Sequence, residues 1–192
     1  KILRKLIRSK KGRSLVHLLD APLPNVTIIM PVYNGLSLTK QCVESVYLNT
    51  KDIPFELLIV DNASRDGTAR WIRKQKSFSN LIYIRLKKNV GFGPAVNVGL
   101  KQNRAPFIVI LNNDTLVGQD WLKNMLALMM KDRLLGIVSP MTNYVGEGPQ
   151  VDVDAADLTP DIFKVTTYSQ KIADRAEIVY EPSRLVFFCV LL

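Results

Sequence analysis

At 192 residues, with 47% apolar and 22% charged side chains, the chain has the makeup of an ordinary folded domain, and intrinsic disorder is excluded as its default state. Its length is enough to bury roughly 70% of the surface that the unfolded chain exposes. The net charge of +9 invites a nucleic-acid reading, but Lys1, Arg4, Lys5, Arg8, Lys10, Lys11 and Arg13 supply +7 before the first acid, so the rest carries only +2 and nucleic acid is not an expected partner.

Residues 1–24 read as a basic amphipathic leader. Ile2, Leu3, Leu6 and Ile7 fall roughly at helical spacing, followed by Leu15, Val16, Leu18 and Leu19. Such a segment suits peripheral contact with an anionic membrane surface, and it equally suits docking of its apolar side on the domain. It lacks the apolar stretch of about 7–15 residues that marks a signal peptide. His17, the single histidine, lies among the leader's apolar positions, which leaves zinc chemistry and a Ser-His-Asp triad poorly supported.

From residue 25 the pattern alternates. Strands are expected at 26–32 (VTIIMPV), 55–60 (FELLIV), 81–86 (LIYIRL), 107–111 (FIVIL) and 135–139 (LLGIV), each short, rich in β-branched residues and bounded by turn formers. Helices are expected at 37–49, 67–76, 93–103 and 119–131, with Ser37 and Asp66 as N-caps and Gly118 with Asp120 opening the fourth. Alternation of this kind implies right-handed crossovers and a mostly parallel sheet, an α/β sandwich of Rossmann type. Residues 143–160 are rich in Gly, Pro and Asp and read as a long loop; a helix near 161–173 and a last strand over 184–191 follow. The terminal apolar run is too short for the about 20 residues that span a bilayer. Position 1 is Lys and position 192 falls inside an apolar run, so both ends read as cut from something longer. Cys42 and Cys189 show no metal-ligand spacing; as two reduced, buried thiols they fit a cytoplasmic setting.

Three segments carry chemistry. FELLIV runs into Asp61, and FIVIL runs into Asn112, Asn113 and Asp114. A parallel strand buried on both faces is apolar, so polar groups at its carboxyl end open into the crevice where such sheets bind ligands. A carboxylate at Asp61 can accept an N–H from a nucleobase, whereas Asp114 beside two amides suits a hard cation whose remaining charge comes from a diphosphate. Both segments also satisfy the ordinary demands of turns, where Asp, Asn and Ser bond to nearby backbone. In the third, NVGFGPAVNVGL, Gly91 and Gly93 are followed by Val96 where a dinucleotide fingerprint needs a third glycine. What survives is a glycine-rich entry to a helix, with Pro94 at a position that needs no N–H; it fits an anion or a plain turn. Trp121 reads as a packing anchor for its helix.

Taken in order, TIIMPVYNGLSLTKQCVESVYLNT (27–50), FELLIVDNASRDGT (55–68), NVGFGPAVNVGL (89–100) and LNNDTLVGQDWL (111–122) resemble the donor-binding half of a family 2 glycosyltransferase of the A-type fold, in its rhamnosyltransferase-like branch. The resemblance implies a Rossmann-like nucleotide-diphospho-sugar transferase fold incomplete at its C-terminal side. Residues 25–142 would form the nucleotide-sugar-binding domain and 143–192 the start of an acceptor-side region. It implies that Pro31, Val32 and Tyr33 line the nucleobase pocket and that Asp61 binds the base edge. Asn112, Asn113 and Asp114 would face the diphosphate, Asp114 as ligand to Mg²⁺ or Mn²⁺. Asn112 stands where the family more often has an acid, which makes metal dependence a separate question.

The implied reaction is transfer of a sugar from a nucleotide-diphosphate donor to a hydroxyl of a glycan or other acceptor, with inversion, in polysaccharide or glycan synthesis. The family's base usually follows a segment like RLVFFCVLL, so no catalytic residue is assigned; Glu147, Asp152 and Asp154 do not match its motif. The alternative is a non-catalytic fragment that binds a nucleotide sugar or a partner and lacks the acceptor half.

Overall fold

A computed structural model describes residues 25–132, 134–143, 161–172 and 186–192. The leader with His17, and the loop carrying Glu147, Asp152 and Asp154, lie outside the described residues.

A five-stranded sheet forms the centre, in the order β3-β2-β1-β4-β5. Its strands are β1 (Val26–Val32), β2 (Phe55–Asp61), β3 (Leu81–Arg85), β4 (Phe107–Leu111) and β5 (Cys189–Leu191). The first four run parallel and β5 is antiparallel to β4. Helices α1 (Leu36–Asn49), α2 (Thr68–Ile72), α3 (Phe92–Leu100), α4 (Trp121–Lys131) and α5 (Ile162–Lys171) surround it. The expected mostly parallel α/β sandwich is the architecture observed.

Every residue of β1 is buried. This is the signature of a central strand covered on both faces, and it explains the unbroken apolar run. One face packs Ile28, Met30, Leu57 and Ile59 against Val43 and Val46 of α1 and Leu122 and Met125 of α4. The other packs Ile29, Leu58 and Val60 against Ala95 of α3. Helix α3 sits so close that a Cβ on Gly99 would come within 2.5 Å of Ile29 Cγ2. Only glycine fits there.

Several expected boundaries shift. Residues 135–139 form no strand; Val138 alone makes an isolated antiparallel bridge to Leu191, on the side of β5 away from β4. The last strand shortens to Cys189–Leu191, and the second helix from 67–76 to Thr68–Ile72, a turn and a half that buries Thr68 and Ile72. Ser37 is not the cap of α1. Gly35 holds that position in the left-handed region, and Asp66, from the next crossover, accepts the Leu36 N–H at 2.8 Å. Asp66 also accepts from the backbone N–H and hydroxyl of Thr68, so one carboxylate serves the starts of two helices. Asp120 caps α4 by backbone position alone, at φ 56°. The helix near 161–173 is present as α5, whose Asp161 caps Lys164 N–H.

Candidate functional site

The strand order reverses direction at β1: β2 and β3 extend to one side, β4 to the other. Crevices of open α/β sheets form at such a switch point, outside the carboxyl ends of the strands. Pro31 marks the opening. Along a parallel strand, successive residues bond to alternate neighbours, and the Val32 carbonyl accepts from Asn62 N–H on the β2 side. Pro31, without an N–H, therefore faces the β4 side, where pairing has already ended at Ile29↔Ile110. A proline is tolerated here because no ladder bond is asked of it.

The register aligns Val32 with Asp61. Beyond it the chain turns sharply: Asn34 and Gly35 have φ of 59° and 71°, and Ala63 on the neighbouring turn has φ 67°. For Ala63 that conformation costs roughly 1–2 kcal/mol, which the surrounding bonds must offset. Asn34 N–H donates to Ser64 Oγ at 2.9 Å, and Arg65 N–H returns a bond to Asn34 Oδ1 at 2.8 Å. Asn113 Nδ2 donates to Thr39 Oγ1 at 2.9 Å and reaches the Asn34 carbonyl at 3.4 Å. The turns after β1, β2 and β4 are thus stitched into one rim.

Within that rim the expected site residues differ in exposure. Pro31 and Val32 are buried in β1, and Tyr33 projects with half its surface exposed. Asp61 is wholly buried. Its Oδ1 accepts Ser64 N–H at 2.7 Å, and its Oδ2 accepts the Tyr83 hydroxyl at 2.6 Å and Arg85 Nη1 at 3.0 Å. The Arg85 side chain, 35% exposed, carries this buried charge toward solvent and donates to the Ser64 carbonyl as well. Burial and the hydrogen bond to the Asp61 carboxylate push the Tyr83 phenol above its ordinary range.

Asn112 and Asn113 are half-buried and Asp114 is exposed. The backbone of Asn112 is tied on both sides, its N–H to the Phe188 carbonyl and its carbonyl to the Cys42 thiol. Its side-chain Oδ1 is buried with no partner. Downstream, Val117 N–H bonds to Ser45 Oγ, its carbonyl accepts from Asn49, and Trp121 Nε1 donates to Thr50, so α1 clamps the segment that carries Asp114. Trp121 is the anchor its position suggested. Cys42 and Cys189 are free and buried, as expected. Burial pushes the Cys42 thiol up to about 12, with the Asp114 charge adding to the rise and the Thr115 N–H opposing it.

No group of three or more His, Cys, Asp or Glu side chains able to hold a metal occurs among the described residues. Two oxygens nevertheless suit a hard cation: the exposed Asp114 carboxylate and the unpartnered Asn112 amide oxygen. Mg²⁺ is commonly bound by one or two carboxylates plus substrate phosphates, so this donor set fits a cation completed by a diphosphate.

The residues that sequence reasoning missed are Tyr83, Arg85 and Asn62. Asn62 donates to Asn89 and to the Gly91 carbonyl and accepts Val90 N–H, pinning the glycine-rich entry of α3 against the end of β2. A polar alternation in LIYIRL, with Tyr83 and Arg85 on one face, was the available signal. A Cβ on Gly93 would meet nothing within 4 Å, so this glycine is not required by packing.

The family model described as glycosyl transferase family 2 matches residues 27–177. Glycosyltransferase AglE of Haloferax volcanii is 31% identical over 107 residues, covering 55% of this chain and 35% of its own length. The poly-β-1,6-N-acetyl-D-glucosamine synthase of Staphylococcus aureus is 31% identical over 117 residues, 61% of this chain and 28% of its own. The chain thus spans about a third of the length of these curated relatives. Among solved structures, the mannosyltransferase PcManGT from Pyrobaculum calidifontis, in complex with GDP-Man and Mn²⁺, superposes with a TM-score of 0.57 at 25% identity, covering 74% of this chain and 47% of its own. TarS 1–349 of S. aureus in complex with UDP-GlcNAc gives 0.57 at 26% identity, with 65% and 36% covered.

Proposed function

The chain belongs to glycosyl transferase family 2, and from that premise we propose that it binds a nucleotide-diphosphate sugar at the rim joining β1, β2 and β4 and transfers the sugar, with inversion, to an acceptor hydroxyl in glycan or polysaccharide synthesis. One observation carries the reading: Asn113 and Asn34 connect the Asp114 corner to the Asp61 corner by direct hydrogen bonds, so both edges belong to one crevice. GDP-Man and UDP-GlcNAc in the similar solved structures support the donor class.

In this reading Tyr33 lies beside the nucleobase, and Pro31 and Val32 form the floor beneath it. Asp61, buried beneath Tyr83 and Arg85, would serve the base edge through Arg85, which it holds in place and which offers a charged donor to the C=O groups of the ring. Asn112, Asn113 and Asp114 face the diphosphate, and Asp114 with the Asn112 amide oxygen would hold Mg²⁺ or Mn²⁺. The cation supplies charge neutralisation to the departing diphosphate. As the acceptor oxygen bonds to the anomeric carbon, the bond from that carbon to the diphosphate oxygen breaks, and the acceptor proton passes to a carboxylate base. Residues 25–142 would supply the donor side and 143–192 the start of the acceptor side, with that base outside the assigned residues. The two buried free thiols support a cytoplasmic setting, and the basic leader supports contact with the inner face of a membrane; no helix among the described residues is long and apolar enough to cross one.

Titration calorimetry with UDP, GDP and dTDP, with and without Mn²⁺, tests the proposal. Asp114→Asn is expected to weaken metal-supported binding by about 1–3 kcal/mol, the cost of losing one charged partner, and to leave metal-free binding unchanged. Equal affinities of native and variant chains in Mn²⁺ would remove Asp114 from the site.

A further inference from the structure

Adjoining the rim at Ser64, Arg65 and Arg85, the short crossover from β2 to β3 encloses an open cleft of about 750 Å³ between the α2 segment and the end of β3. Arg65, Arg70, Arg73, Lys74 and Arg85 line it, and no acidic residue does. Arg85 is paired with Asp61, the only ion pair among the described residues, so the other four cations have no acidic partner there. The nearby Asp66 is engaged with Leu36 and Thr68 rather than with any of them.

A charge run on a convex face is normally a solvated surface. Here the charges converge on a concavity from two elements, and part of the wall is preorganised. Arg85 is held by Asp61 and by the Ser64 carbonyl, and the Arg73 guanidinium lies 5.7 Å from the Tyr83 ring centroid. Clustering like charges costs self-repulsion that an anion would relieve, and a cleft lined by one sign of charge concentrates the opposite sign. Its volume lies within the range of about 300–1,000 Å³ usual for small-ligand sites. Guanidinium groups match phosphate oxygens in paired hydrogen bonds.

We propose that this cleft is a second anion site, which binds a ligand bearing two or more phosphate groups, either a soluble phosphate ester or the headgroups of anionic lipid. It is separate from the Asp114 corner. Arg85 is the shared wall, so the test leaves Arg85 in place.

The test compares the full chain with an Arg70→Gln/Arg73→Gln/Lys74→Gln variant and with a control of equal charge loss, Lys51→Gln/Lys101→Gln/Lys131→Gln. All six positions are exposed. The soluble probe is inorganic tripolyphosphate, followed by calorimetry at low and high salt. The lipid probe is sedimentation with phosphatidylglycerol vesicles, with phosphatidylcholine vesicles as the neutral reference. The cleft variant should bind one or both anionic probes at least about tenfold more weakly than the control does, and native binding should weaken as salt is raised. Loss toward tripolyphosphate alone identifies a soluble ester as ligand; loss toward phosphatidylglycerol alone identifies a lipid headgroup. Equal loss in the two variants, or no binding of either probe by the native chain, overturns the proposal. UDP binding in Mn²⁺ should be unchanged in the cleft variant whatever the outcome for the Asp114 reading.

Discussion

Replacing Asp61 tests whether the buried corner is held together by a single carboxylate. Asp61→Ala strips an acceptor from three donors at 2.7, 2.6 and 3.0 Å. Ser64 is 3% exposed, so leaving its amide without a partner costs about 1–3 kcal/mol. The Tyr83 hydroxyl loses a short bond from a partly buried position, at about 1 kcal/mol. Arg85 can rehydrate through its exposed side chain, so its share is discounted to well under about 1 kcal/mol. The sum is about 3 kcal/mol, and for a chain of this size it corresponds to a fall in Tm of about 6–12 °C. Asp61→Asn keeps an acceptor for Ser64 but sets an amide N–H against Arg85, so about half of that loss is expected. Urea denaturation of Asp61→Ala, Tyr83→Phe and the double variant gives the coupling directly. The two single losses should exceed the double loss by about 1 kcal/mol. Additive losses, or an Asp61→Ala variant as stable as the native chain, would refute the network as the reason this acid is buried.

Gly99→Ala should destabilise by about 1–3 kcal/mol in the same assay, because its methyl would meet Ile29 at 2.5 Å in the α3 interface. Combining Gly99→Ala with Ile29→Ala, which removes Cγ2, should cost less than the sum of the two single losses, and additive losses would place the strain elsewhere. The buried thiols predict an alkaline limit. Folded Cys42 is raised to about 12 and Cys189 is raised as well, both first by burial, while the unfolded chain titrates near 9.0. The folded state therefore holds protons that the unfolded state releases; the thiols' contribution is complete below pH 9.0 and is lost as pH climbs toward 12. Denaturation midpoints measured from pH 7 to 11 should fall above 9, and the fall should shrink in a Cys42→Ala/Cys189→Ala variant.

The order of strands and helices, the burial of VTIIMPV and the place of Asp61 and Asn112 to Asp114 at strand ends were legible in the residues themselves. Periodicity and turn chemistry are local, and a strand covered on both faces has no choice but to be apolar. Helix limits were less legible where a distant group supplied the cap. Ser37 satisfied every local rule for an N-cap, yet Asp66, thirty residues on, took the Leu36 N–H. Residues 135–139 have strand composition, but the edge open to them is β5, only three residues long, and a single bridge at Val138 is all that forms there.

The candidate site divides in the same way. Which residue types stand at the strand ends follows from the chain alone, because each is fixed by its immediate neighbours. That Asp61 is sealed beneath Tyr83 and Arg85 while Asp114 faces solvent, and that Asn113 ties one corner to the other, depends on side chains as many as 79 positions apart meeting across a sheet. Burial and hydrogen-bond partnership are properties of the packed whole; no window of sequence contains them.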